Sequence, residues 1–375
     1  MEHDPSIEGY CTSDESSFAY TSAHDRWSII LTGAIADISE TSNTLEDPDA
    51  RAKGERIIKG LRNLQFEIQS DAKLTPLYDD GSAEIADYNK ELGQRNPSWL
   101  NVFWLYGECY LYRRIRSLFL MSTKWKNYDV FAHQKSSTFQ ASKPAILELA
   151  ARYKTVVQSA SALVQDRSSE ALLFQEMCEI CLWGNATDMS LLTSLTYEDI
   201  QKLQGSEARK TQAKNVLIND IPAAFDVLDN ARREKRGGAQ VDIVLDNPGF
   251  KLYVDLLLAG FLLSTGLATK VVLHPKSIPW FVSDAMHADF TNLLSWRLPH
   301  LAPGLFIELK ESDLVIFKGD LNYRKLTGDD TTTLFPTAIG PLGTSWGVRT
   351  LALRTCKADV VVGLAEGEDE RLRSA

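Results

Sequence analysis

Acidic and amide side chains end three apolar segments in the second half of this 375-residue sequence. "IVLDNPGF" contains Asp246 and Asn247, "IPWFVSD" ends in Asp284, and "LVIFKGDLNYRK" runs directly into Asp320. Open α/β sheets bind ligands beyond the carboxyl ends of their strands, so we expect these side chains to gather there. Two carboxylates and an amide are hard oxygen donors, which suit Mg²⁺ or Mn²⁺ and, less ideally, Co²⁺ or Ni²⁺.

Basic side chains accompany these acids. Lys318, Arg324 and Lys325 lie in "FKGDLNYRK", and Arg354 and Lys357 lie in "RTCKAD", just before the apolar run "ADVVVGL". Cations beside a divalent metal suit an anionic substrate, most simply a phosphate ester. The sequence has no P-loop, G-x-G-x-x-G or G-x-S-x-G motif and no D-x-D-x-T phosphatase signature, so metal-activated water is the economical nucleophile.

The same residues also have ordinary structural interpretations. Asp and Asn after a strand are common turn formers and helix N-caps, and "KGDLNYRK" alone fits a solvated loop. The recurrence of such residues at several strand ends favours a site.

Two further motifs favour structural roles. Cys178 and Cys181 form a single C-x-x-C without a second pair, so we expect both thiols on the inner face of a helix. The basic stretch 232–236, followed by Gly-Gly, fits either a solvated linker or a nuclear or phosphate-binding patch, and we favour the linker.

Hydrophobic periodicity predicts the elements that position these side chains. Residues 18–182 follow an almost continuous helical pattern. Residues 239–364 alternate helical segments with short apolar runs, which predicts an α/β sandwich with a parallel sheet and Rossmann-like connectivity. The predicted strands are "AQVDIVLD", "TKVVLHP", "IPWFVSD", "SDLVIFKGD" and "ADVVVGL".

Composition limits the classes of partner and compartment. The composition is that of an ordinary globular protein, and the net charge of −10 argues against nucleic-acid or anionic-membrane partners. No apolar run reaches about 18 residues, so we expect no membrane span. The polar start and five scattered cysteines predict a cytoplasmic location, with a nuclear pool as the alternative. No obligate protein partner is evident.

Six segments resemble the damage-control phosphatase family, and more closely its eukaryotic sugar-phosphate branch, whose members are also named acidic residue methyltransferase. The resemblance runs in order from about Ser17 to Leu364, and "GDLNYRKLTGD" and "LWGN.TD.SLL" are its most specific blocks. The segments are "WLYGECYLYRRI", "LWGNATDMSLL", "IVLDNPGF", "IPWFVSD", "LVIFKGDLNYRKLTGD" and "RTCKADVVVGL".

The resemblance implies an α/β fold with a helical N-terminal subdomain packed on a three-layer α/β/α Rossmann-like core with a mainly parallel sheet. We place a disordered tail at 1–17, the helical subdomain at 18–237, the metal-binding catalytic core at 238–364 and a C-terminal tail at 365–375.

The implied activity is a divalent-metal phosphatase (Mn, Ni, Co or Mg) acting on a small phosphorylated metabolite such as fructose 1-phosphate. By matching motifs, Asp246, Asn247 and Asp284 would be the catalytic metal ligands. The residues that would contact substrate or phosphate are Asp320, Leu321, Asn322, Tyr323, Arg324 and Lys357, with Asn185 and Asp188 approaching from the helical side.

The sequence departs from this family pattern at Lys251, where relatives usually carry an acid in "LDNxGFE". That acid is associated with a proposed S-adenosylmethionine contact, so its loss disfavours the alternative of a protein-glutamate O-methyltransferase. Lys251 would either add positive charge for a phosphate or reach solvent. The short 290–301 region and the ending "GEDERLRSA" leave a catalytically impaired family member as a further alternative.

Overall fold

The computed structural model describes residues 10–374, except for residue 83, residue 134 and the ranges 136–139, 141, 159–165, 184–215, 235–237, 277–283, 286–302 and 330–333. The chain divides into two units. We call Asp4–Ser136 with Lys276–Asn292 the helical unit, and Met1–His3 with Ser137–Pro275 and Leu293–Ala375 the sheet unit.

Long amphipathic helices build the helical unit. In α3 (Pro48–Gln69) one apolar stripe is buried, namely Ile57, Ile58, Leu61 and Leu64. Asp47 caps this helix by accepting a hydrogen bond from the Asp49 amide, and Pro48 occupies its first position. The elements are α1 (Phe18–Thr21), a π-helical segment (Ser22–Arg26), α2 (Trp27–Thr44), α3 (Pro48–Gln69), α4 (Ile85–Arg95) and α5 (Trp104–Leu120).

Among the residues that the structure describes, the sheet unit contains four parallel strands in the order β2-β1-β3-β4. The strands are β1 (Gln240–Val244), β2 (Lys270–His274), β3 (Leu314–Lys318) and β4 (Thr350–Leu353). The helices of this unit are α6 (Lys143–Gln158), α7 (Arg167–Trp183), α8 (Ile221–Glu234), α9 (Phe250–Thr265), α10 (Pro303–Glu311), α11 (Gly319–Thr327), α12 (Phe335–Ala338) and α13 (Glu368–Arg373), with 3₁₀ turns at Gly340–Leu342 and Thr344–Trp346.

The two central strands explain the parallel sheet. β1 and β3 pair in register from Val241 with Leu314 to Val244 with Phe317, and these residues are buried. Strands buried on both faces need near-continuous apolar runs, which is the pattern that predicted them. Helices α7, α8, α9 and α11 pack against the strands. The predicted α/β fold with a parallel sheet is therefore confirmed.

The predicted strand "ADVVVGL" is wrong. Residues 358–364 form no strand, and the fourth strand is Thr350–Leu353. Side chains satisfy the backbone of this segment instead: Arg354 donates to the carbonyls of Ala358 and Val360, and the Val362 amide donates to the Tyr323 hydroxyl. The segment "RTCKAD" consequently follows a strand rather than preceding one.

The limits of the expected regions also differ. Residues 10–17 are not a disordered tail, because the Thr12 amide donates to Val102 O at 2.9 Å and the Trp104 amide donates to Tyr10 O at 2.8 Å. Residues 365–374 include α13. The expected boundary between the helical subdomain and the catalytic core, at 237–238, falls inside the sheet unit. In that unit α9 packs against α6 and α7. The predicted strand at 278–284 lies outside the described residues except for Asp284.

The cysteine prediction is confirmed. Cys178 and Cys181 are buried in α7, and the Cys181 thiol donates to the Val254 carbonyl at 3.3 Å. No described helix is both long and apolar enough to cross a membrane.

The basic stretch is neither a linker nor an open phosphate-binding patch at the two arginines that the structure describes. Arg232 and Arg233 lie in the last turn of α8. Both contact the fully buried Asp229 at 2.7 Å, and Arg232 also pairs with the buried Glu170 of α7. Arg167 of α7 adds a third contact to Asp229 at 2.7 Å. Asp229 therefore ties α7 to α8.

We expect Asp229→Asn to lower the free energy of unfolding by about 1.5–3 kcal/mol, because it removes a charged hydrogen-bond acceptor that is buried. Asp226 is the matched control: it contacts the same Arg167 but its side chain is 58% exposed. Asp226→Asn should change stability by less than about 0.5 kcal/mol. Urea unfolding measures both, and equal losses would contradict the role of Asp229.

The same pair of variants predicts a pH dependence. Burial alone would raise the pKa of Asp229, but the hydrogen bonds and charges of its arginines outweigh burial and lower it. Its stabilisation is thus present above the unfolded pKa of about 3.9 and is lost as the pH falls through the folded pKa. Below about pH 4 the wild-type protein should lose stability more steeply than Asp229→Asn, and parallel curves would oppose this.

Candidate active site

The parallel strands bring several predicted residues to one edge of the sheet. Asp246 lies two residues beyond β1, Gly319 and Asp320 follow β3 directly, and Arg354 follows β4. Because parallel strands end at the same edge, these residues share the carboxyl edge, where open α/β sheets bind ligands. "RTCKAD" joins this edge only because the fourth strand precedes it.

Asp246 and Gly319 make the closest approach at this edge. Gly319 has φ +83°, and a Cβ placed on it would lie 2.2 Å from Cγ and 2.3 Å from Oδ2 of Asp246. Glycine tolerates the positive φ, and it has no Cβ that would clash with the carboxylate. The carboxylate is therefore seated directly over the turn from β3 into α11.

Asn322 joins the two central strand ends. Its side-chain Nδ2 donates to the Leu245 carbonyl at 3.0 Å and to the Lys318 carbonyl at 2.7 Å. Both carbonyls lie at or just beyond the last residues of their strands. Asn322 thus holds the strand ends at a defined spacing, which is a structural role besides the predicted contact with substrate.

Four buried charged groups form what we call the charge cluster: Asp246, Lys251, Asp255 and Lys318. Lys251, in the first turn of α9, places its ammonium 2.5 Å from Asp246 Oδ2. Lys318 lies 3.1 Å from Asp255 Oδ1 and also donates to the Cys181 carbonyl at 2.9 Å. Burial alone would lower the pKa of Lys318, but the surrounding groups, led by the facing Asp255 carboxylate, together outweigh burial and raise it. The expectation that Lys251 could reach solvent is wrong, because it pairs with Asp246 inside the protein.

Asp320 organises the segment after β4. Its Oδ1 accepts from Arg354 Nε at 2.8 Å and from the Lys357 amide at 3.1 Å. The Arg354 guanidinium also stacks over the Tyr323 ring at 4.2 Å. This leaves the Lys357 side chain exposed on a backbone that Asp320 holds.

Arg324 has a different partner from the one that the motif suggested. Its guanidinium makes two hydrogen bonds of 2.8 Å to Asp329, and both residues are buried. Leu321 is likewise buried and Asn247 is half-buried. The assignment of Leu321, Tyr323 and Arg324 to the substrate stays a prediction.

The remaining candidates do not lie in the described sheet unit. Asp284 belongs to the helical unit, where it is buried and its carbonyl accepts from Lys135 Nζ at 2.9 Å. Its convergence with Asp246 on one metal stays a prediction. Asn185 and Asp188 lie outside the described residues. Within the described part of the chain, no group of three or more His, Cys, Asp or Glu side chains is arranged to hold a metal ion.

Sequence reasoning passed over Gly319 and Asp255 as site residues. A glycine directly after a buried strand and before an acid is a signal for close backbone approach. A single acid within the apolar run "VDLLLAGFLL" signals a buried charge that requires a partner. The partner itself, Lys318, lies 63 residues away and has no local signal.

We expect Gly319→Ala to remove most activity that depends on Asp246, because the new methyl group would displace the carboxylate. Gly266→Ala is the matched control, since Gly266 has φ +72° and nothing within 4 Å of the added Cβ. Both variants should lose about 1 kcal/mol to backbone strain, and only Gly319→Ala should lose activity. Unfolding curves and turnover rates test this; equal activities in the two variants would contradict it.

Comparisons with known proteins identify the family. The damage-control phosphatase ARMT1-like domain matches residues 22–298 and 294–372. Damage-control phosphatase ARMT1 of Xenopus tropicalis is 36% identical over 416 residues, covering 96% of this chain and 93% of that protein. The Homo sapiens protein of the same name is 31% identical, covering 96% and 92%. A solved DUF89 family protein from Pyrococcus horikoshii, at 14% identity and a TM-score of 0.39, covers 91% of this chain and 96% of that chain and is too distant to support any argument. The chain therefore belongs to the damage-control phosphatase ARMT1-like family.

Proposed function

We propose that this protein is a metal-dependent phosphatase that hydrolyses small sugar phosphates, with fructose 1-phosphate as a representative substrate. The observation that carries the proposal is the seating of Asp246. Its carboxylate lies over Gly319 at the carboxyl edge of the sheet, next to Asn247 and beside the first turn of α11. The names of the relatives add support, because they are damage-control phosphatases.

The donor set at this corner fits a hard divalent cation. Asp246 offers a carboxylate and the adjacent Asn247 offers an amide oxygen, and both donor types suit Mg²⁺ or Mn²⁺. The missing side chain at Gly319 leaves room for the Asp246 carboxylate itself at this corner. When bound, such an ion polarises a phosphoryl oxygen and activates water. Asp284 completes the proposed ligand set on the strength of the family motif alone.

The residues around this corner suit a phosphate ester. Asp320, Leu321 and Asn322 occupy the first turn of α11, and the N-terminal end of a helix favours an anion. Lys357 presents an exposed ammonium from a backbone that Asp320 anchors. In this role it would neutralise the non-bridging oxygens as charge develops.

The Lys251 contact disfavours methyl transfer. An ammonium has no hydrogen-bond acceptor, and this one is paired with Asp246. It cannot replace an acid that accepts hydrogen bonds from a methyl-donor cofactor. We therefore do not propose the methyltransferase alternative.

We expect phosphate release from a panel of sugar phosphates to require a divalent metal, to stop with chelator and to return when metal is restored. Asp246→Asn should lower kcat by about 10²-fold or more, because it weakens the ligand that positions the ion. Asp226→Asn, an exposed acid on α8, is the control and should keep full activity. Turnover that survives both chelator and Asp246→Asn would overturn the proposal.

We expect Lys357→Ala to lower turnover by about 10²–10³-fold, the typical cost of removing one preorganised charge-stabilising group. The melting temperature of Lys357→Ala should stay close to that of the wild-type protein, because the Lys357 side chain is exposed. Lys310→Ala on α10 removes another exposed lysine and should leave the rate unchanged. If Lys357→Ala is silent, Lys357 has no place in the site.

A further inference from the structure

The Lys251–Asp246 ion pair occupies the position where the proposed metal would bind. The ammonium lies 2.5 Å from Asp246 Oδ2, and the two residues are 8% and 7% exposed. Gly319 closes against the same carboxylate, since its Cβ position would lie within 2.5 Å of both carboxyl oxygens. Lysine and glycine backbone together leave Asp246 little free surface for a third group.

The charge cluster is balanced without any bound ion. Asp246 and Asp255 contribute two negative charges, and Lys251 and Lys318 contribute two positive ones. A buried carboxylate without a counter-charge is costly, so Lys251 stabilises the metal-free protein. A divalent ion added to the intact cluster would meet the Lys251 ammonium already at Asp246. The two cations would repel each other at such a short distance.

We propose that Lys251 is a resident counter-cation for Asp246, which a divalent metal must displace, and that this competition sets the metal affinity of the site. The proposal rests on the proposed function in assigning a metal to Asp246. Lysine cannot ligate a metal while protonated, because its ammonium has donors and no acceptor. Its release from Asp246 is therefore a condition of metal binding, and the residue at this position is a determinant of affinity.

Two neutral variants of Lys251 test its competition with the metal for Asp246, and neither test requires a measurement of turnover. In Lys251→Met the charge and the hydrogen bond are both lost, while in Lys251→Gln an amide can still donate to Asp246. Both should bind Mn²⁺ about 10–100-fold more tightly than the wild-type protein by calorimetric titration at constant pH, since a unit charge about 4 Å from a divalent ion is removed. Lys251→Arg keeps the charge and should stay close to the wild-type affinity.

A second measurement uses thermal stability. Without metal, Lys251→Met should melt at a lower temperature than the wild-type protein, because Asp246 loses its counter-charge. Saturating Mn²⁺ should raise its melting temperature more than it raises that of the wild-type protein. Lys270→Met, at an exposed lysine that begins β2, is the control and should follow the wild-type protein in both measurements.

Asp246→Asn separates failure of this inference from failure of the proposed function. If Asp246→Asn abolishes Mn²⁺ binding but Lys251→Met and Lys251→Gln bind no more tightly than wild type, only the competition is overturned. If Asp246→Asn binds Mn²⁺ as well as the wild-type protein does, Asp246 is not a ligand and both proposals fail. Absence of Mn²⁺ binding by every variant would also overturn both.

Discussion

The close approach of the Asp246 carboxylate to the backbone of Gly319 is the constraint on which the candidate site depends. A side chain at residue 319 would push the carboxylate away from the strand ends. The positive φ of Gly319 turns the chain from β3 into α11 within one residue, and so starts α11 at the edge of the sheet where Asp246 lies. Asn322 then fixes the spacing by bonding the carbonyls of Leu245 and Lys318. The position of the carboxylate thus depends on backbone geometry that the buried Asn322 side chain supports.

The partners of buried acids are exposed to different degrees at the candidate site and elsewhere in the protein. Asp229 is surrounded by three arginines whose side chains are 22% to 58% exposed, so their charges remain partly hydrated. That arrangement joins two helices at a modest desolvation cost. In the charge cluster, by contrast, both partners of each pair are buried. Replacing such pairs by apolar residues is often neutral or stabilising, so fold stability alone does not explain their presence. The proposed binding of charged ligands gives a reason for them.

The segment after β4 shows how one misassigned strand altered the predicted site. "ADVVVGL" has the composition of a buried strand, and Val360 and Val362 are indeed fully buried. Its backbone nevertheless bonds to the side chains of Arg354, a few residues upstream, and of Tyr323 in α11. Local composition measures how well side chains suit burial, but it does not show which groups satisfy the backbone. The true strand, Thr350–Leu353, is short and forms an edge of the described sheet, so its sequence signal is weak.

The sequence by itself determined the class of fold, the central strands and the gathering of Asp246 and Asp320 at strand ends, whereas Arg354 joined them only because the fourth strand precedes it. These follow from hydrophobic period and from the rule that parallel strands end at one edge, which need no knowledge of distant contacts. Only the tertiary structure decided which groups pair. Lys251 pairs with Asp246 and Arg324 pairs with Asp329. Lys318 pairs with Asp255, which lies 63 residues away in the chain. Pairing depends on distances of a few ångströms between side chains on different elements. Charge interactions weaken with separation and strengthen with burial. Local composition encodes neither the separation of two side chains nor their burial.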